Sequence, residues 1–365
     1  MGRRRSLGRI GTVLVKAAVW LVIFALAGEA GARLFLTSPS VQRFDPELGY
    51  VNAPGSHDFQ SREGFQRIAL NELGLNDRPI APKPAGTRRL LFLGDSMTFA
   101  EQVAPERNFT RWVERLSPRA QSVDGGRDAV GPNQWPVLYD RLAPAVKPDL
   151  VVVVMSRGDV FDLVQSGATI VRDAQGRPVG VINRPSAKDQ MQADLGPLLQ
   201  RSALATYLAR RAASMTAQTQ GGSSWFARLV LRRGKPAAAH RNSAAETLPP
   251  DAARRLAAVF QVMAAKGPVV FVSLPSLEYF PGGRATYEPR SRLEAPVFHR
   301  AAALAGVRFY DLTGDMAAAY AATGRPLAGF ATSRLGEGHL NAYGHEVVGR
   351  AMARDLAPAF PTAVG

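Results

Sequence analysis

Short apolar runs alternate along most of this chain with segments whose apolar residues recur every three to four positions, a pattern of strands and amphipathic helices. "RRLLFLGDS", ending at Ser96, is a buried strand, and "NFTRWVERL" follows as a helix with Asn108 placed to cap it. "QWPVLYDRLA" reads as a second helix and "PDLVVVVMS" as a second buried strand. "GATIVRDAQGRPVGVI" centres on an Asp-Ala-Gln-Gly turn and reads as a hairpin, with a helix expected near Leu195–Ala213. "PDAARRLAAVFQVMAAKG" is an amphipathic helix closed by Gly267, "PVVFVSLPS" a third strand, "EAPVFHRAAALAG" a helix and "VRFYDLT" a fourth strand. A helix from about Ala342 to Leu356 ends the series. Strands alternating with helices predict an α/β fold with a parallel sheet covered on both faces. Ligands of such sheets bind outside the carboxyl ends of the strands. Here those ends carry Ser96, Ser156, Ser273 and Asp311.

The amino end departs from this pattern. "MGRRRSLGR" is cationic, and "IGTVLVKAAVWLVIFALAG" follows with Lys16 as its one charge. At about 1.5 Å per residue this run reaches roughly 28 Å, near the thickness of a bilayer's hydrocarbon. Lys16 lies close enough to the cationic side to snorkel. Arginines before the span place the amino end in the cytoplasm and all that follows outside. An uncleaved anchor, a cleaved signal peptide (Ala25–Ala27 has the small-x-small form of a cleavage site) and a buried core helix all fit the run. The expected organisation is a basic end and anchor over 1–36, with residues 10–34 in the bacterial inner membrane. A connecting arm over 37–87 and a main periplasmic or extracytoplasmic domain over 88–360 follow.

Composition narrows the chemistry. With 365 residues, 46% of them hydrophobic and 21% charged, the chain can bury a sizeable core. It has no cysteine, which excludes a disulfide framework, a thiol nucleophile and thiolate metal sites. The net charge of +15 points to contact with an anionic polymer or a membrane surface. Part of it lies in an insertion at about 196–245, which carries Arg201, Arg210, Arg211, Arg228, Arg232, Arg233, Lys235 and Arg241 and no acid. Its stretch "SSWFARLVLRRGK" sets Trp225 and Phe226 among cations, as in helices that lie in a membrane interface; a core-capping helix or a surface loop reads the same way. No phosphate-binding Gly-rich loop, His-x-x-x-His pair or cluster of carboxylates is present, so no metal or organic cofactor is expected. The cations are not interleaved with aromatics as on nucleic-acid platforms, so no nucleic-acid partner is expected either.

Gly-Asp-Ser at a strand end is either a tight turn or a nucleophile raised at the edge of a sheet. A serine attacks well only with a base in hydrogen-bond reach and donors around the developing oxyanion. The five histidines are His57 in the arm, His240 in the insertion, His299 inside a helix, and His339 and His345 in "GEGHLNAYGHEVV". His339, on a Gly-rich loop, is placed to act as base, whereas His345, on the first turns of a helix, is placed to pack.

At these residues the sequence resembles the SGNH (GDSL-type) hydrolases. "FLGDSMTFA" is similar to that family's first block, "AVGPNQWPVLYDRL" to its second, "KPDLVVVVMSRGDVFD" to its third and "GHLNAYGHEVV" to its fifth. "FDPELGYVNAPG" and "NELGLNDRPIAPKPAGTRRLLFLGDS" resemble the leader of membrane-anchored bacterial members, so the likeness runs from about Phe44 to the carboxyl end, the insertion excepted. The resemblance implies a flavodoxin-like three-layer α/β/α sandwich. It also implies an ester hydrolase that removes acyl groups, acetyl above all, from a cell-envelope or secreted polysaccharide. Ser96 would be the nucleophile, His339 the base, and the amides of Ser96 and Gly131 the oxyanion donors. Asp95 is expected to tie the serine turn, and Asp159 to bond loop amides. Two positions depart from the family. Gly158 stands where an asparagine would donate to the oxyanion, with Arg157 or Asn133 as possible substitutes, so restoring Asn at 158 is expected to raise activity. Gly336 stands where an aspartate would orient the base, leaving Glu337 as the nearest acid. An O-acyltransferase using the same Ser-His pair, or a non-catalytic glycan-binding or export-complex protein, would share these features.

Overall fold

The computed structural model describes residues 2–39, 41–183, 201–208, 211 and 247–359. The chain divides into two compact units, Met1–Val41 with Gln192–Ala244, and Gln42–Met191 with Ala245–Gly365.

The first unit is led by α1 (Gly2–Gly31), which continues as a π-helical turn over Ala32–Leu36. Residues Thr12–Leu36 are long and apolar enough to cross a membrane, and Leu21, Phe24 and Leu26 on that stretch are exposed. Its carboxyl end is polar. Glu29 pairs with Arg33 at 2.6 Å and accepts from the Ser202 hydroxyl (2.6 Å) and from the amides of Ala203 and Leu204 (3.0 Å each). Arg33 donates to the Arg201 carbonyl at 2.9 Å. Glu29 thereby satisfies the first amides of the helical stretch 203–208, which would otherwise lack acceptors. The rest of the expected helix near Leu195–Ala213 lies outside the described residues except Arg211, as do Trp225, Phe226 and the basic run that follows them.

The second unit begins with two hairpins, β1 (Gln42–Asp45) with β2 (Gly49–Asn52), and β3 (His57–Gln60) with β4 (Gln66–Ala69). Then come β5 (Arg88–Leu93), the single turn α2 (Ser96–Phe99), α3 (Phe109–Leu116), β6 (Ala120–Asp124), α4 (Trp135–Val146), β7 (Leu150–Met155) and α5 (Asp159–Gln165). A hairpin, β8 (Thr169–Arg172) with β9 (Pro178–Ile182), stands where the Asp-Ala-Gln-Gly turn predicts one. After it come α6 (Ala252–Lys266), β10 (Val269–Ser273) and a hairpin of β11 (Leu277–Phe280) with β12 (Arg284–Tyr287). The unit closes with α7 (Pro289–Ala305), β13 (Arg308–Asp311), α8 (Thr313–Thr323) and α9 (Ala342–Leu356).

Five strands form one parallel sheet in the order β13-β10-β7-β5-β6. Counted along the chain this is 2-1-3-4-5, the flavodoxin-like order, whose ligand crevice opens between the first and third strands at their carboxyl ends. The four strands of the apolar pattern are present. The fifth, β6, was not anticipated: "AQSVD" lies at an edge and buries Ser122 and Asp124, so it lacks the apolar signature of its neighbours.

Alternate residues of each strand face opposite layers. Leu91, Leu93, Val151, Val153 and Phe271 pack with Trp135 and Leu138 of α4, Val160 of α5, Leu256 and Phe260 of α6, and Phe298 of α7. Leu90, Phe92, Val152, Val154 and Val270 pack on the other side with Phe109 of α3, Met316 of α8, and Val348 and Met352 of α9. The architecture is an α/β/α sandwich. Truncating a fully buried aromatic such as Trp135 or Phe271 would cost about 3–5 kcal/mol.

Candidate active site

The strand β5 stops at Gly94, and Asp95 and Ser96 turn the chain into α2. Asp95 caps that turn, its Oδ1 accepting the Met97 amide at 2.9 Å. Its Oδ2 accepts the Ser156 hydroxyl from the end of β7 at 2.5 Å. The turn is held from the other side by Asn108, whose Nδ2 donates to the Thr98 carbonyl (3.0 Å) and to Asp124 at the end of β6 (2.6 Å). Three strand ends thus fix the position of Ser96.

The loop before α9 brings His339 to this serine. Asn341 caps α9 by accepting the amides of Tyr343 and Gly344, and it anchors the loop by donating to the Pro326 and Gly329 carbonyls. The His339 Nε2 lies 2.8 Å from the Ser96 Oγ. Its Nδ1 meets the Glu63 carboxylate, which comes from the turn between β3 and β4. A carboxylate at Nδ1 holds the ring proton there, so in the neutral ring Nε2 is the acceptor facing the hydroxyl.

Electrostatics follow this order. Burial resists protonation of His339, but the hydrogen bond and charge of Glu63, with the charges of Asp95 and Asp128, outweigh it and raise the imidazole pKa above its usual value. Burial alone would raise the Glu63 carboxyl; the His339 bond and charge reverse this and hold it below the usual range. Beneath the serine, burial raises Asp95 against the pull of the Ser156 hydroxyl. Burial raises Asp159 well above its usual value too, with the Asp95 charge adding to the shift.

Glu63 is the residue the sequence reading missed. Glu337, expected as the ring-orienting acid, instead pairs with Arg334 at 2.9 Å on the surface. Gly336, at the family's acid position, has φ of +88° and stands against the Tyr279 ring, a place ill suited to a side chain. Gly338 shows why the third acid arrives from elsewhere: a Cβ there would lie 1.9 Å from Glu63 Oε1. The missing side chain is the space the Glu63 carboxylate occupies. Sequence holds one faint signal, an acid in a short turn of the arm.

Two other expectations are corrected. The Gly131 amide donates to Gln134 Oε1 at 3.0 Å, because Gln134, just ahead of α4, folds its side chain back over the turn that its own amide closes on the Gly131 carbonyl. It is therefore engaged rather than aimed at an oxyanion. The proposed substitutes for the missing asparagine are engaged as well, Asn133 with Asn183 at 2.9 Å and Arg157 with Glu288 at 3.4 Å. Gly158 has φ of +106°, and its amide donates to Glu294 Oε2 at 2.8 Å. The fully buried Glu294 also accepts from Val160 and Phe161 at the start of α5, and burial pushes its pKa up to about 7. Asp159 accepts the Ser156 amide at 2.7 Å. The Ser96 amide, in the first turn of α2, has no acceptor among the described residues. His345 is buried, stacks on Phe109 and accepts the Phe109 amide at 3.3 Å; burial lowers its pKa to about 3.

Fold and site together define a class: a flavodoxin-like α/β/α protein with a hydrogen-bonded Ser-His-Glu chain at the carboxyl edge of its sheet. No family model matches the sequence, and no curated protein matches it. Solved structures do resemble the chain. One is a member of the lipolytic protein G-D-S-L family from Veillonella parvula, 11% identical, with 74% of this chain and 98% of that one covered at a TM-score of 0.39. Another is a catalytic mutant of Axe2, an acetylxylan esterase from Geobacillus stearothermophilus, 12% identical over 77% of this chain and all of that one, at 0.38. A third is LAE5, an alpha/beta hydrolase enzyme from the metagenome of Lake Arreo, 14% identical over the same shares, at 0.40.

Proposed function

We propose that this chain is a membrane-anchored SGNH-type serine ester hydrolase that removes acyl groups, acetyl above all, from a cell-envelope or secreted polysaccharide. The observation that carries the reading is the unbroken chain of hydrogen bonds from Ser96 through His339 to Glu63. A hydroxyl, an imidazole and a carboxylate in that order can generate a nucleophile at neutral pH.

Ser96 Oγ attacks the acyl carbon while His339 Nε2 takes its proton. The carbonyl oxygen becomes an oxyanion, to which the Ser96 amide can donate. His339 returns the proton to the departing sugar oxygen as the ester bond breaks. Water then enters and attacks the acyl carbon as it loses a proton to His339, and the acid leaves as His339 returns that proton to Ser96 Oγ. Glu63 keeps the ring in its working tautomer and stabilises the imidazolium formed in each half of the cycle. The case for a non-catalytic protein leans on the acid missing at Gly336 and the donor missing at Gly158; Glu63 answers the first, and the second leaves the Ser96 amide as the donor this reading relies on.

In this reading residues 1–36 are the cytoplasmic end and anchor, and the hydrolase domain with its arm faces the periplasm. The test is turnover of small acetyl esters by the full chain. Ser96→Ala and His339→Ala are each expected to abolish it with the fold intact. Wild-type turnover by either variant overturns the assignment.

A further inference from the structure

Against the segments that carry Glu63 and His339, the second unit has an open groove of about 820 Å³, in the upper part of the roughly 300–1,000 Å³ that ligand sites occupy. Its walls come from the segments that build the catalytic chain. Gly64 follows Glu63 directly, and Gly329 donates its amide to the His339 carbonyl at 2.9 Å. A molecule lying in the groove would therefore sit against the segments that hold Glu63 and His339 in place.

Two features of the lining specify its chemistry. Phe65, Phe330 and Tyr343 supply ring faces, and Phe65 is 70% exposed. Arg107 and Arg325 supply cations; both are exposed, and neither pairs with a carboxylate among the described residues. The Arg325 guanidinium lies 4.4 Å over the Tyr343 ring, which fixes its position without neutralising it. No aspartate or glutamate lines the groove among the described residues.

Ring faces for stacking and unneutralised cations for acid groups match one kind of polymer. We propose that the groove binds an acidic polysaccharide. Its uronate carboxylates would lie on Arg107 and Arg325, so that an ester on a neighbouring sugar reaches Ser96. A neutral glycan would use the ring faces and leave both arginines without counter-ions. The placement of the ester rests on the hydrolase reading above; the binding of an acidic chain does not.

The experiment separates the two. Binding of de-esterified polygalacturonate and of uncharged xylan is measured by calorimetry on the full chain in detergent, at low and at high salt. The expected result is binding of polygalacturonate that weakens with salt, with xylan much weaker and insensitive to it. Arg107→Gln with Arg325→Gln is expected to weaken polygalacturonate binding roughly tenfold, the scale of two exposed ion pairs. Arg88→Gln with Arg308→Gln removes the same charge at the amino ends of β5 and β13, the opposite edge of the sheet, and is expected to leave binding unchanged. Equal affinity for the two polymers overturns the proposal. So does a groove variant that binds like the wild type, or a control variant that weakens as much. If polygalacturonate binding follows the groove arginines while small esters are not turned over, the hydrolase reading falls and the groove assignment stands.

Discussion

Replacing Glu63 by glutamine keeps the size of the side chain and removes its charge, which makes it the sharpest probe of the relay. The carboxylate contacts His339 Nδ1 in a partly buried setting, with side-chain exposures of 19% for Glu63 and 29% for His339. At an effective dielectric of about 20 and a charge separation of roughly 4 Å, the carboxylate stabilises an imidazolium by about 4 kcal/mol. Solvent screening at this exposure reduces that to about 3 kcal/mol, or roughly two orders of magnitude in kcat. Glutamine can also hold the ring in the wrong tautomer, which extends the loss towards roughly 10⁴-fold. The pH profile gives a second readout. Activity requires neutral His339, so it rises with pH through the pKa of the ring. That pKa lies above its usual value because of Glu63, so the midpoint of the variant moves to lower pH. The assay is kcat/KM for a small acetyl ester from pH 5 to 9, with circular dichroism confirming the fold. Wild-type kcat with an unmoved midpoint would refute the reasoning, because a carboxylate that orients and charges the base cannot be removed silently.

Three further outcomes follow from neighbouring residues. Gly338→Ala places a methyl in the space of Glu63 Oε1, so it should lower kcat and shift the pH midpoint as Glu63→Gln does, and φ of +82° should also lower the melting temperature through roughly 1–3 kcal/mol of strain; unchanged kinetics would show that Glu63 has room elsewhere. Gly158→Asn should reduce stability and bring no gain in kcat, since φ of +106° strains a side chain by roughly 1–3 kcal/mol; faster turnover would restore the donor role expected from sequence. For Glu294, the native pKa is pushed up to about 7 from 4.5. Between those values the folded state binds more protons than the unfolded one, so this group makes stability fall as pH rises across the window, by up to roughly 3 kcal/mol. Melting curves from pH 4 to 8 should show that slope flattened in Glu294→Gln relative to the wild type, and parallel slopes would contradict the burial argument.

Much of this architecture was legible because the sheet is parallel and doubly covered. Its central strands must be apolar on both faces, so "LVVVV" and "VVFVS" could hardly be anything else. The cap of α3 at Asn108 was legible too, since a side-chain acceptor before an amphipathic run has few other uses. β6 was hidden because an edge strand with inward Ser122 and Asp124 obeys hydrogen bonding rather than burial of apolar area. Ser96 and His339 carried local signals, a strand that stops in Gly-Asp-Ser and a histidine on a glycine-rich loop. Glu63 carried none. It lies 276 positions from His339, and what selects it is the space above Gly338, which exists only in the folded chain. Glu337 was the wrong acid for the same reason: nearness in sequence does not turn a side chain inward.

The central claim is that Ser96 is a nucleophile activated by His339. It is tested most directly by treating the full chain with a serine-reactive fluorophosphonate and locating the adduct by mass spectrometry. The account predicts one stoichiometric adduct on Ser96, slowed strongly in His339→Ala and absent in Ser96→Ala. Failure of the wild type to react, or an adduct on another serine, would contradict it.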